Sequence, residues 1–480
     1  LCSNVTFKKI IFNLFYTTEG VIGTPIGVCS TFIVLFIIFG AFLEKTGIAD
    51  FFIQAANALV GAARGGPAKV AVIASALEGM VSGSSVANTV GSGSVTIPMM
   101  KRTGYKGEFA GAVEAAASTG GQIMPPIMGA AAFLMAEMVG VPYATVAVKA
   151  ILPAVLYFTG IFLMVHLEAK KEGLRGLRKD ELPNFWKLAV QKGYLLLPLI
   201  LLIVMLATNY KTMAYCAMIA TAASIIVSMF RKETRLTPST FADALENAAR
   251  NTIGVGVACA TAGIIAGVVT MTGLGQILIT GVVKLAGSNL LIALFLTMIA
   301  CIILGMGVPT TANYVIMATT CAPILTSLGV PAIAAHMFVF YFGIVADITP
   351  PVALAAYAGA AIAKSNPMKT GINATKLAIA AFIVPYIFVM NPAILFVNTT
   401  PVQVIQIFIT SIVGMYGLSV ALEGYMFRHV KWWQRIPAAV AGLLLIDPSL
   451  ITDIIGIAVF AFLIVTQIIQ KKREVPEGSV

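Results

Sequence analysis

Charged residues are scarce in this chain. Asp, Glu, Lys and Arg make up 11% of its 480 residues, against about 25% in an ordinary soluble domain. That deficit excludes a fully water-exposed surface. Histidine is rarer still: His166, His336 and His429 are the only three, too dispersed for a metal site. The six cysteines, Cys2, Cys29, Cys216, Cys259, Cys301 and Cys321, include no CxxC pair, so neither a disulfide framework nor a cysteine metal centre is expected. No HExxH occurs, and Gly79-Met80-Val81-Ser82-Gly83 is too loose a serine motif, without an identifiable base, to support an intramembrane enzyme. The chain is expected to be no enzyme and to carry no cofactor.

What fills the chain instead is hydrocarbon. Apolar residues reach 59%, in repeated runs near the ~20 residues that cross a bilayer. This specifies an all-α polytopic membrane protein. The net charge of +11 points to lipid and not to nucleic acid. Basic clusters at Lys170–Lys171, Arg175, Arg178–Lys179, Arg231–Lys232, Arg235 and Lys471–Arg473 lie between or after apolar spans, as the positive-inside bias requires. Trp186, Trp432 and Trp433, beside basic residues, fit an interfacial aromatic belt.

The helix breakers come in two matching sets. Asn88, Pro98, Pro125, Pro126 and Pro142 recur as Asn313, Pro323, Pro350, Pro351 and Pro367, each pair offset by 225 (313 − 88 = 225, 367 − 142 = 225). Inside a membrane, irregular backbone survives only where protein or a water-filled cavity satisfies its polar groups. Paired interruptions in two halves point to the binding site of a secondary transporter. They suit alternating access better than a continuous channel.

Uninterrupted spans are expected at about 22–43, 146–166, 195–207, 213–230 and 253–280, with an amphipathic stretch at 51–63 and a basic loop at 169–187. Interrupted segments cover Val70–Met100, broken at Ser82–Ser85, and Phe109–Met138, broken at Gly120-Gly121 and Pro125-Pro126. Their counterparts are Leu290–Leu325, centred on Gly305–Pro309, and Ala332–Ala363. The remainder, 377–396, 404–422 and 437–469, reads as three or four helices, with a turn at Asp447-Pro448. The parts are therefore a lead-in (1–21), a first repeat with scaffold helices (22–230), a second inverted repeat (231–376) and additional C-terminal helices (377–480).

Charge placement sets the topology. Arg64 and Lys69 precede the first interrupted segment, and Lys101, Arg102 and Lys106 follow it. Both ends belong on the cytoplasmic side, so the segment enters and returns as a re-entrant hairpin. No Lys or Arg occurs between Lys284 and Lys364, which places both ends of the second hairpin on the opposite side. Two hairpins entering from opposite faces make an inverted-topology repeat. Lys8 and Lys9 fall outside in this trace, and a segment upstream of the sequence would account for that.

The hairpin tips, Ser82–Asn88 and Gly307–Asn313, combine glycine, which lets the chain turn, with hydroxyl and carbonyl oxygens that suit a hard cation such as Na⁺. The plainer reading is close helix packing by small residues. Two matched motifs favour the site. The broken helices, Ser118–Pro126 and Gly343–Pro351, each stop at a Pro-Pro pair. A restarting half-helix offers its positive end to an anion, while the preceding half offers carbonyls to a cation. Asp347 sits in one break and aligns with Gln122 in the other. It is the foremost intramembrane ionisable candidate, able to bind a cation, carry a proton or orient amides. Glu78 and Glu114, near the first hairpin and first broken helix, are candidates by the same rule, with a structural salt bridge or an exposed interfacial position the equal alternative for each. Asp347, Glu114 and His336 supply protonatable groups that keep proton coupling open; His336 is expected foremost as a hydrogen-bonded packing residue, and Glu137 at a helix end in the interface.

Gly107–Glu137 (GEFAGAVEAAASTGGQIMPPIMGAAAFLMAE) resembles the large membrane subunit of tripartite ATP-independent periplasmic (TRAP) transporters, and more narrowly the fused permeases paired with TAXI-type binding proteins. Ala41–Gly47 (AFLEKTG), Arg64–Lys69 (RGGPAK), Gly305–Asn313 (GMGVPTTAN) and Ile348–Ala361 (ITPPVALAAYAGAA) carry the same resemblance, which covers roughly Phe15 to Gln470. It implies an elevator-type importer in a bacterial or archaeal cytoplasmic membrane. Its transport domain would hold two hairpins and two broken helices. It would take a small organic anion from a periplasmic substrate-binding protein, with Na⁺ as the usual coupling ion and H⁺ as the alternative. It also implies a small four-helix membrane component. Too little chain precedes Ile22 to hold that component, so a separate subunit or a missing fused portion is expected. The long region after Asn391 agrees with the TAXI-associated type.

Carried onto matching positions, the resemblance gives Na⁺ ligands at Ser84, Ser85, Asn88, Gly120 and Gly121, and at Thr310, Thr311, Asn313, Asp347 and Thr349. The substrate is expected to meet Ser85, Asn88, Gln122, Pro125, Thr311, Asn313, Thr349 and Pro350. A symporter that needs no binding protein is the nearest alternative.

Overall fold

The computed structural model describes residues 6–287, 289–446 and 449–474. Helices dominate, and no strand occurs among the described residues. Among the described residues, seven helices are long and apolar enough to cross a membrane: Thr24–Lys45, Tyr143–Lys171, Phe185–Ala207, Pro238–Thr272, Pro367–Met390, Pro401–Glu423 and Ile451–Gln470. The protein is an all-α polytopic membrane protein.

Local sequence explains where these helices start and stop. Thr237 and Thr400 close capping boxes at the starts of Pro238–Thr272 and Pro401–Glu423, each with proline in the first turn. The expected single helix at 253–280 is corrected to two. Pro238–Thr272 stops at Gly273, whose φ of +66° ends it, and Leu274–Ala286 begins anew. The C-terminal stretch 437–469 likewise divides, into Trp432–Leu444 and Leu450–Glu474. The turn expected at Asp447-Pro448 lies outside the described residues.

The repeat seen in the breakers extends to whole elements. Ile48–Val60, Gly66–Ser82, Gly107–Gly121 and Ala130–Val139 map onto Leu274–Ala286, Leu290–Gly305, Ala332–Val345 and Leu354–Ala363, all within two residues of the 225 offset (107 + 225 = 332). Tyr143–Lys171 corresponds to Pro367–Met390, so the matched helices run on past residue 376. Each half thus holds one helical hairpin and one broken helix.

The two halves interlock. Gly107–Gly121, the leading half of the first broken helix, packs against Leu354–Ala363, the trailing half of the second; Ala130–Val139 and Ala332–Val345 make the reciprocal contact. Glycine permits the closest approach. A Cβ built on Gly111 would lie 2.8 Å from the Gly359 carbonyl oxygen, and one on Gly359 would lie 2.6 Å from that of Gly111. Lys101 adds a bond from the first hairpin to the Ala363 carbonyl at 2.7 Å. Around this assembly, Met213–Ser228 and Pro238–Thr272 each pack on Thr24–Lys45, and Pro401–Glu423, Trp432–Leu444 and Leu450–Glu474 build onto Tyr143–Lys171.

Gly111→Leu should force the interlocked halves apart, and overpacking of this kind costs about 1–3 kcal/mol. Thermal unfolding in detergent should show a lowered midpoint. Gly256→Ala should leave the midpoint in place, because its added carbon meets nothing within 4 Å.

Candidate functional site

The two hairpins turn on glycines. Gly66–Ser82 ends at Gly83 (φ +63°), and Ser84 caps the return helix Ser85–Gly91 by accepting from the Ala87 amide. In the second hairpin Leu290–Gly305 gives way to Met306, Gly307 (φ +73°) and Pro309 before Thr310–Thr320. A Cβ on Gly83 would come within 2.6 Å of Gly129 Cα, so the first hairpin tip rests on the backbone of the first break. At this glycine the packing reading holds.

The breaks match in detail. Residues 122–129 and 346–353 interrupt their helices, both Pro-Pro bonds (125–126 and 350–351) are cis, and the aligned Met128 and Ala353 both have positive φ. Tyrosines hold the freed carbonyls. Tyr143 donates to the Pro126 and Ile127 oxygens at 2.7 and 2.5 Å, and Tyr357 to that of Pro351 at 2.5 Å.

The sequence-expected residues divide into groups. Ser85 and Asp347 come together: the Ser85 hydroxyl donates to Asp347 Oδ2 at 2.6 Å, linking the hairpin of one repeat to the break of the other. Gln122 is buried, and neither its amide oxygen nor its amide nitrogen has a hydrogen-bond partner. Asn88 and Asn313 play parallel parts. The Asn88 amide donates to the Ser75 carbonyl and the Asn313 amide to that of Gly343, each at 2.9 Å. Each leaves a buried Oδ1 without a hydrogen-bond partner, and the buried oxygens of Thr119 and Gln122 share that condition. Buried oxygens are rarely left so, and four of them near two breaks suit a cation.

Gly120 and Gly121 are held by packing. A Cβ on Gly120 would strike the Tyr157 ring, and one on Gly121 would lie 2.5 Å from Gly79 Cα. Their carbonyls accept the Ile123 and Met124 amides in the first turn of the break. The Thr349 hydroxyl bonds back to the Val345 carbonyl at 2.8 Å. Pro125, Pro350 and Thr310 are half-buried.

A cavity of about 470 Å³ opens beside both hairpin tips. Ser82–Ser84 and Ala87 line it from the first hairpin, and Pro309 and Thr311 from the second. Gly129 and Ala130 contribute from the first break, Glu44 from Thr24–Lys45, and Arg250 and Asn251 from Pro238–Thr272. Of the expected site residues, Ser84 and Thr311 border it; Ser85, Asn88, Gln122, Asn313 and Asp347 are buried and lie outside its lining. Sequence reading missed Arg250, which pairs with Glu246 at 2.7 Å. Its position one helix away from the breaks hid it, although a lone arginine entering a long apolar run was a visible signal.

The alternatives left open for the two acids narrow. Glu114 is neither salt-bridged nor interfacial: it is fully buried and takes hydroxyl donors from Ser75, Ser92 and Thr96, each at 2.5 Å. Glu78 borders the cavity and forms no salt bridge among the described residues. His336 is a packing residue bonded to the Tyr314 hydroxyl at 2.7 Å, and Glu137 is exposed near a helix end, both as expected.

Comparison with known proteins agrees with this architecture. The family model described as "Tripartite ATP-independent periplasmic transporter, DctM component" matches residues 3–402. The chain is 28% identical to the C4-dicarboxylate TRAP transporter large permease protein of Pseudomonas aeruginosa, over 68% of this chain and 76% of that protein. It is 24% identical to the isethionate TRAP transporter permease of Oleidesulfovibrio alaskensis, over 69% of this chain and 52% of that protein. With the sialic acid TRAP transporter permease of Haemophilus influenzae it shares 26% identity, over 41% of this chain and 31% of that protein. With matched hairpins, matched Pro-Pro breaks and a family model spanning most of its length, the chain belongs to the large membrane subunits of the tripartite ATP-independent periplasmic transporters, multi-pass proteins of the inner membrane.

Proposed function

We propose that this subunit imports a carboxylate-bearing organic acid with Na⁺ as the coupling ion, taking its substrate from a TAXI-type periplasmic binding protein and working with a small four-helix membrane component. The observation that carries the reading is the Ser85–Asp347 bond, which brings one hairpin and the opposite break together beside a cavity. Asp347 supplies the charge, and the unpartnered oxygens of Asn88, Asn313, Thr119 and Gln122 supply neutral ligands of the kind Na⁺ accepts. Arg250 gives the cavity a cation for a carboxylate. The interlocked hairpins and broken helices form the body that would move in an elevator cycle, and the packed helices Thr24–Lys45, Met213–Ser228 and Pro238–Thr272 form its static partner. Support for the TAXI pairing is the chain beyond the family match, which holds nearly all of Pro401–Glu423 and the helices Trp432–Leu444 and Leu450–Glu474.

Uptake into proteoliposomes tests this, with Na⁺ and proton gradients imposed separately and the binding protein present or absent. Accumulation should require an inward Na⁺ gradient and the loaded binding protein; accumulation without either one overturns that part of the reading. Asp347→Asn should cut Na⁺-driven uptake about ten- to a hundredfold, the worth of a hydrogen bond to a charged group, while membrane insertion stays normal. Arg250→Gln should raise KM for the organic anion and leave the Na⁺ dependence intact, which initial-rate measurements resolve.

A further inference from the structure

Ser75, Glu78, Ser92, Thr96, Glu114 and Ser118 form a polar cluster in the first repeat. At the 225 offset (339 − 114 = 225) the second repeat carries Ala300, Ile303, Met317, Cys321, Val339 and Gly343. The fold does not need the cluster, because the matching helices assemble around apolar side chains. A buried carboxyl retained in only one of two like-built halves answers to chemistry rather than to architecture.

Its hydrogen bonds suit a group that changes protonation. Ser75 and Ser92 donate to Glu114 Oε1 and Thr96 to Oε2, each at 2.5 Å, with Ser118 more distant at 3.3 Å. Two of these hydroxyls also have an alternative acceptor one turn back. Ser92 lies 2.8 Å from the Asn88 carbonyl and Thr96 3.0 Å from that of Ser92. When Glu114 is ionised, the hydroxyls donate inward. When Oε2 carries a proton, it donates to Thr96 Oγ1, and the Thr96 proton turns to the Ser92 carbonyl. Both states are satisfied by rotation of one hydroxyl.

The cluster also has a way out. Glu78 lines the cavity at the hairpin tips, and its Oε1 lies against Gly91, the residue next to Ser92. Ser92 Oγ donates to Glu114 Oε1, so a proton reaching this hydroxyl from the cavity side would release its own to Oε1; Oε1–H can then donate back to Ser92 while the Ser92 proton turns to the Asn88 carbonyl. Other charged groups are turned elsewhere or sit at the cavity side. Glu44 lines the same cavity as Glu78, and Asp50 is exposed. On the helices packed against Gly107–Gly121, Lys69 bonds His166, Lys101 bonds the Ala363 carbonyl, Lys376 bonds Glu423, and Tyr157 and Tyr357 donate to backbone oxygens. Among the described residues no Lys, Arg or His forms a salt bridge with Glu114 or Glu78.

We propose that Glu114 and Glu78, joined through Ser92, are a proton-binding site of the first repeat, loaded from the cavity between the hairpin tips. The proposal rests on the transport reading only in taking that cavity as the substrate's route. The proton would then enter beside the organic anion and would be distinct from the cation held near Asp347.

Infrared difference spectra of the purified full chain, titrated from about pH 4 to about pH 10, test it without any substrate. The C=O stretch of a protonated carboxyl should appear and vanish across the titration and be lost in Glu114→Gln. Asp347→Asn should leave that band in place. Thr96→Val and Ser92→Ala keep the carboxyl and should shift the band, which guards against a Glu114 variant that fails to fold. Transfer into D₂O should exchange this proton more slowly in Ser92→Ala and Glu78→Gln than in the parent. A spectrum with no titrating carboxyl, or one unchanged by Glu114→Gln, Thr96→Val and Ser92→Ala alike, overturns the site. Unslowed exchange overturns the route through Ser92. Failure of uptake in vesicles would count against the transport reading and leave these spectra standing.

Discussion

The hydroxyl of Ser85 donating to Asp347 is one short contact between residues 262 positions apart, yet the rest of the arrangement leans on it. In lipid no water replaces a lost partner, so each polar atom brought to the middle of the protein must find one there. A hairpin tip cannot by itself satisfy the residues that turn it, and a broken helix cannot satisfy its own carbonyls. Each half solves part of the problem with tyrosines and with its asparagine. The remaining part is solved only by the other half. Folding therefore depends on the same few side chains that meet between the halves, and some buried oxygens are left over.

The two halves are alike in backbone and unlike in chemistry. They share the offset, the cis Pro-Pro pairs and the left-handed residue that follows each. What differs is the filling: a hydroxyl-lined carboxyl in the first half, methyl and thiol groups in the second. A duplicated scaffold that is later specialised would look like this. The constraint on backbone geometry is shared because both halves must break a helix at the same depth. The constraint on side chains is not, and each half fills the shared backbone in its own way.

Much of this was legible in the sequence, for definite reasons. Prolines and glycines reveal backbone interruption because their effects are local, so the breaks at Pro125-Pro126 and Pro350-Pro351 and the tips at Gly83 and Gly307 fell where expected. The pairing of Ser85 with Asp347 was not legible, although both residues were singled out, because nothing local encodes a contact between distant segments. Arg250 went unnoticed for the same reason. Glu114 stayed between a functional and a structural reading because an isolated acid in an apolar helix can equally take a cationic partner, whereas its actual partners are hydroxyls at 75, 92 and 96 that look like ordinary small packing residues. Reading it against its counterpart, Val339, would have separated the two cases. The division at Gly273 was missed because a glycine within a long apolar run gives no sign of its φ.

The mutual approach of Gly111 and Gly359 carries a consequence for biogenesis. The two backbones cannot meet until the ribosome has delivered the later segment, so the earlier half-helix must wait in the membrane with its glycine face uncovered. During that interval the first hairpin and first break lack the side chains that complete them. Insertion machinery or a lipid-facing detour has to shelter them. A chain released early would then be marked for degradation by exposed polar backbone rather than by any missing domain.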